Sequence, residues 1–118
     1  VCAIGGTPER ADEVEAGWST ITQVAAEHDR SIDPEHLGVL VLYARAGLPE
    51  AVARVVASRR PELDVRDVVP TGIDGARRQI ERFIGVGASK FVVVPVEDPA
   101  DWDAELTELA DTLLPLET

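Results

Sequence analysis

Gly85-Val-Gly-Ala-Ser-Lys90-Phe-Val-Val-Val-Pro95-Val96 decides the fold class of this chain. From Phe91 to Val96 every residue is apolar, so the strand it predicts, over 90–96, needs cover on both faces. In a water-exposed protein that requirement is met by a parallel sheet wrapped in helices. The flanks agree. Thr71 to Ala88 has helical periodicity, with Ile73, Ala76, Ile80, Phe83 and Ile84 on one face and Gly85 or Gly87 as its stop. Thr71-Gly-Ile-Asp74 has capping-box spacing, an aspartate replacing the preferred glutamate. After the strand, Asp98-Pro-Ala-Asp101 caps a second helix to Leu114, whose stripe is Trp102, Leu106, Leu109 and Leu113 and whose end is Pro115.

Further upstream, Thr7-Pro8-Glu9 places a cap, a first-turn proline and an acid in the order that opens a helix. That helix is expected to run to about His28, with Ala11, Val14, Trp18, Ile21 and Ala25 as its apolar stripe and Gly17 as a weak point. Ile32-Asp-Pro-Glu-His36 reads as a turn, and Leu37 to Ala44 as a buried strand. Leu48-Pro49-Glu50 opens a shorter helix to Arg60, with Val52, Val55 and Val56 turned inward, and Pro61 stops it. Glu62 to Pro70 predicts a short turn of helix and an irregular link. With no repeat, low-complexity tract or flexible linker, residues 1–118 read as a single α/β segment.

Twenty-two acidic residues against eleven basic ones give a net charge of -11, which repels nucleic-acid backbones and anionic membrane surfaces. The acids are scattered (Glu9, Asp12, Glu13, Glu15; Asp101, Asp103, Glu105, Glu108), the pattern of solvated helix faces. No apolar run approaches the roughly 18 residues of a membrane span, and no signal peptide is visible. Cys2, the sole cysteine, excludes an internal disulfide and fits a reducing, cytoplasmic setting. A chain of 118 residues is short of the roughly 200 that a (β/α)8 barrel needs. Since it opens at Val1 and not at methionine, loss of an amino-terminal portion is the expectation.

Each candidate for chemistry has a plainer structural explanation. Gly85-Val-Gly87-Ala-Ser89-Lys90 looks like a phosphate loop, but such loops lead from strand to helix and this one runs from helix to strand. Gly5-Gly6-Thr7 ahead of a helix is a better anion cradle, though lacking the other glycines of a dinucleotide fingerprint. His28, at a helix end, and His36, in a proline turn, have no partner in sequence, and no Cys or His pair has metal-ligand spacing. Cys2 lacks the nearby base that a nucleophile needs. Trp18 and Trp102 sit on apolar stripes and are assigned to the core. Arg59-Arg60 and Arg77-Arg78 could pair with phosphate, but helix-end compensation and a solvated face account for them. No catalytic residue and no metal ligand is assigned, and the cofactor-binding residues stay unassigned.

Gly85 to Val96, Thr7-Pro-Glu, Ile32-Asp-Pro-Glu-His-Leu-Gly-Val-Leu-Val, Asp101-Trp-Asp-Ala-Glu-Leu and the closing Leu-Ala-Asp-Thr-Leu-Leu-Pro115 together resemble the carboxyl-terminal part of the luciferase-like superfamily, in its F420-dependent form. The likeness covers most of residues 7 to 115, and its motifs are structural, not catalytic. It implies a TIM barrel, of which this chain would be the carboxyl-terminal portion: parallel strands with covering helices. The parent would be an oxidoreductase or monooxygenase using coenzyme F420 or FMN. It also implies that the strand at 90–96 and the helix at 98–114 close the barrel, with 7–60 as the preceding insertion. Pro95, Val96 and Glu97 would then lie nearest a ligand, without being assigned to bind one. Lacking its front half, the chain is expected to be inactive alone, to bind neither cofactor, and to need the missing amino-terminal half or self-association as its partner. The alternative is an autonomous α/β binding or self-association module.

Overall fold

The computed structural model describes residues 10–33 and 37–117. Five helices and two strands occur there: α1 (Ala11–Glu27), β1 (Gly38–Tyr43), α2 (Glu50–Arg59), α3 (Val65–Val68), α4 (Gly72–Gly85), β2 (Lys90–Pro95) and α5 (Trp102–Leu113), followed by a 3-10 turn at Leu114–Leu116. This mixed α/β order agrees with the sequence reading, including the short helix between Glu62 and Pro70. β1 and β2 pair in parallel, Gly38 opposite Lys90 through Tyr43 opposite Pro95. Parallel pairing follows from the intervening helices, which return the chain to the starting edge of the sheet before β2 begins.

Alternation along the strands separates two faces. Val39, Val41 and Tyr43 are buried, and together with the half-buried Phe91 and Val93 they meet Ile73, Ala76, Ile80 and Phe83 of α4, Val14 of α1 and Leu109 of α5. Phe83 and Phe91 stack at 6.5 Å between ring centroids. A second cluster of Ala44, Val56, Val68 and Val69 takes in Leu42 and Val96 and covers only the carboxyl end of the opposite face. The rest of that face is not covered among the described residues, for Val92 is 60% and Val94 37% exposed. The expectation that the 90–96 strand is covered on both faces is therefore met on one face only.

Local chemistry explains the boundaries. Glu13 accepts the Arg10 N–H at 3.0 Å at the start of α1. Asp64 caps α3, and Asp101 caps α5 by accepting the Ala104 N–H at 3.2 Å. The predicted Thr71 capping box is absent, because Thr71 makes no side-chain cap. Its backbone is otherwise engaged: Thr71 forms a parallel bridge with Ala44, and the Gly72 N–H donates to the Ala44 carbonyl at 2.6 Å. Gly72 stands at φ +77, a turn that a side chain would strain, and from it α4 departs.

Four inward assignments are corrected. Val55 and Ile84 are exposed because each sits a residue away from the buried line of its helix, occupied by Val56 and by Ile80 and Phe83. Trp102, assigned to the core, is 46% exposed, and Leu106 is exposed beside it. Helix α5 is rotated so that Glu105 and Leu109 face inward.

Candidate functional site

The polar residues that the fold draws together lie at the carboxyl ends of the strands, where parallel α/β proteins place their ligands. Tyr43 ends β1 and is fully buried, and Arg45 follows two residues later. From α5 comes Glu105, 2% exposed. The Tyr43 hydroxyl donates to one Glu105 oxygen at 2.5 Å, and the Arg45 guanidinium donates to the other. A second Arg45 nitrogen reaches Glu108 at 3.2 Å. Glu105 thus spends both oxygens on partners some sixty residues away in sequence, as a buried carboxylate must.

Burial, then the hydrogen bond to Glu105 and the charge of that carboxylate, push the Tyr43 phenol far above its ordinary value of 10.0; Arg45 opposes this weakly. The hydroxyl is accordingly a fixed donor and not a base. The group can orient a strand end and hold the Arg45 guanidinium, half exposed, at the rim of the sheet. Among the described residues no buried side-chain polar atom lacks a partner, so the buried part of this cluster is satisfied within the chain.

Sequence reasoning missed this cluster and placed Glu105 on a solvated face. A signal existed: Glu105 stands three residues after Trp102 and four before Leu109, in line with the apolar stripe. An acid in that line is buried or breaks the stripe.

The sequence candidates fall elsewhere. Gly87, at φ +103, ends α4 as a helix-terminating glycine; its N–H donates to Ile84 and the Ala88 N–H to Phe83. Cys2, Gly5, Gly6, Thr7 and His36 lie outside the described residues. His28 caps α1, with Nδ1 3.0 Å from the Val24 carbonyl. Trp18 is half-buried against the main core. Arg59 closes α2 in the helix-end role expected of it. Arg60 is different: it binds Glu62 at 2.6 Å and Glu13 of α1, tying two helices together. Hydrogen bonding to Glu62, then to Glu13, holds its guanidinium still further toward the charged form, and Arg60 lowers the Glu62 carboxyl in return. Arg77 pairs with Glu81 along α4 at 3.2 Å. Pro95, Val96 and Glu97 stand at the end of β2, where the Val96 N–H donates to the Tyr43 carbonyl at 2.9 Å.

No group of three or more His, Cys, Asp and Glu able to hold a metal occurs among the described residues. No described helix is long and apolar enough to cross a membrane. No family model matches the chain, and searches of the curated proteins and of the solved structures return no match.

Proposed function

We propose that this chain is the carboxyl-terminal part of a luciferase-like (β/α)8 oxidoreductase that uses coenzyme F420 or FMN, and that the 118 residues alone are not catalytic. The observation that carries the reading is the one-sided sheet: two parallel strands, helices over one face, an apolar opposite face covered only at its carboxyl end and, among the described residues, an open outer edge along β2. Parallel strands are rarely stable as a pair, and a (β/α)8 barrel supplies both the missing strands and the inward cover. Residues of the strand face turned away from α4 and outside the second cluster would then line the barrel interior: Leu40, Val92 and Val94. The sequence resemblance agrees in chain order. In this setting the Tyr43–Glu105–Arg45 cluster steadies the carboxyl end of one strand beneath the ligand side of the barrel, and the parent acts in the cytoplasm.

The isolated chain is expected to bind neither FMN nor F420, and the chain rejoined to its upstream sequence is expected to bind one of them. Fluorescence titration with each cofactor measures both. A micromolar dissociation constant for the isolated 118 residues, or no binding by the rejoined protein, would overturn the proposal.

A second reading is an autonomous α/β binding module. It is favoured by the full pairing of buried polar side chains among the described residues, which a chain torn from a larger whole need not achieve. Guanidinium unfolding followed by circular dichroism and tryptophan fluorescence separates the two: coincident cooperative transitions at two concentrations support the module, and a shallow or aggregating transition supports the severed barrel.

A further inference from the structure

We infer that the 118-residue chain pairs with a second copy of itself through the outer edge of β2, antiparallel and centred on Val93. This inference does not rest on the oxidoreductase reading, for it concerns the 118 residues alone, without the strand that a barrel would place on the same edge. It starts from the direction of the backbone groups. The Lys90 N–H donates to the Leu37 carbonyl and the Val96 N–H to the Tyr43 carbonyl, so the even-numbered residues of β2 address β1. In a parallel strand the alternate residues face the other way. Phe91 and Val93 therefore present N–H and C=O to the open edge, and Pro95 presents a carbonyl.

The two edges of the sheet are not equivalent. On the outer side of β1, Ala44 is already bonded to Pro70 and Gly72 and bridged to Thr71, so an added strand there would meet that segment. The edge of β2 has no such neighbour among the described residues. Exposed edges of this kind are templates for pairing.

A two-fold register about Val93 is self-complementary. Val93 of each copy exchanges N–H···O=C bonds with its counterpart, and each Phe91 N–H reaches the partner's Pro95 carbonyl. Proline at this rim position forfeits only its missing donor. Val92 falls opposite the partner's Val94, which pairs the two exposed apolar residues of β2. Lys90, the only lysine in the chain, falls opposite Val96 of the second copy and one residue from its Glu97. Both charges are exposed. Lysine and proline commonly guard an edge against pairing. Here both stand at the rim of the register, where one finds an opposite charge and the other still accepts.

Lys90 and Glu97 of one copy are too far apart to react with each other, since the extended strand from Lys90 to Pro95 alone spans about 17 Å. A zero-length carbodiimide cross-link between Lys90 and Glu97 must therefore join two copies. The test combines sedimentation velocity from about 10 to about 300 µM protein with that cross-link and with amide exchange at Phe91 and Val93. The expected result is a dimer carrying the Lys90–Glu97 cross-link and slowed exchange at both amides. V92K, placed at an exposed position, should weaken association by about tenfold. K90E should weaken it too, and K90E combined with E97K should restore it. A monomer throughout that range overturns the inference. So does a dimer that lacks the cross-link and whose Phe91 and Val93 amides exchange as fast as those of the V92K chain.

Discussion

Raising the pH provides a direct test of the buried cluster, because Tyr43 is the only tyrosine in the chain and its phenolate absorbance is a private signal. The folded phenol lies far above its ordinary value of 10.0, with burial the leading cause. The sign follows from proton linkage: above about pH 10 the unfolded chain gives up the phenolic proton while the folded chain keeps it. This contribution to stability is therefore complete below pH 10 and is lost as pH climbs toward the raised value. Each unit of climb costs about 1.4 kcal/mol, so at about pH 12 some 2.7 kcal/mol is gone. A chain of this length is stable by about 6–18 kcal/mol at most estimates, so the loss is a substantial part of the whole. The expected titration shows no tyrosinate near pH 10 and a cooperative rise at higher pH, coincident with the change in tryptophan fluorescence. Replacing the Glu105 charge by E105Q should move the rise only part of the way back, since burial dominates. A smooth, reversible tyrosinate titration centred near pH 10, with tryptophan fluorescence unchanged, would refute the assignment.

Two further outcomes test the frame. Phe83→Ala removes a fully buried ring that packs on Phe91 and β1, and should cost about 3–5 kcal/mol, read as a lower urea midpoint. Because Arg60 holds the Glu62 carboxyl below its ordinary value, the stability from that pair is present above the unfolded carboxylate value and lost as pH falls through the lowered one. Arg60→Gln should flatten that part of the acid limb, read as the urea midpoint against pH.

Much of the frame was legible because periodicity reports burial. Ile73, Ala76, Ile80 and Phe83 of α4 repeat at helical spacing with charges between, and all four are buried. The run Phe91-Val-Val-Val94 and the run at Leu37–Ala44 could be read as strands from length and β-branching alone. What the sequence could not convey was the neighbour of each face. An apolar residue at Val92 states that cover is wanted, but not whether this chain supplies it. The same gap hid the polar cluster. Tyr43 and Arg45 have ordinary local contexts, Glu105 stands out only by its place in the apolar stripe of α5, and their meeting depends on how α5 rolls over the sheet. Trp102 misled for that reason: the largest apolar side chain of α5 suggested an inward face, whereas the paired carboxylate of Glu105 and the side chain of Leu109 set the roll.

The Tyr43–Glu105–Arg45 cluster also constrains the order in which the chain can assemble. Its bonds close over sequence separations of 62 and 60 residues, and long loops are costly to close before their contacts repay the lost freedom. During synthesis the strand bearing Tyr43 leaves the ribosome well before α5 exists. Until residue 105 emerges, a phenolic hydroxyl and a guanidinium at the end of β1 must remain hydrated, and the strand end cannot dry. Completion of this end of the sheet is therefore a late event, timed by the arrival of the last helix.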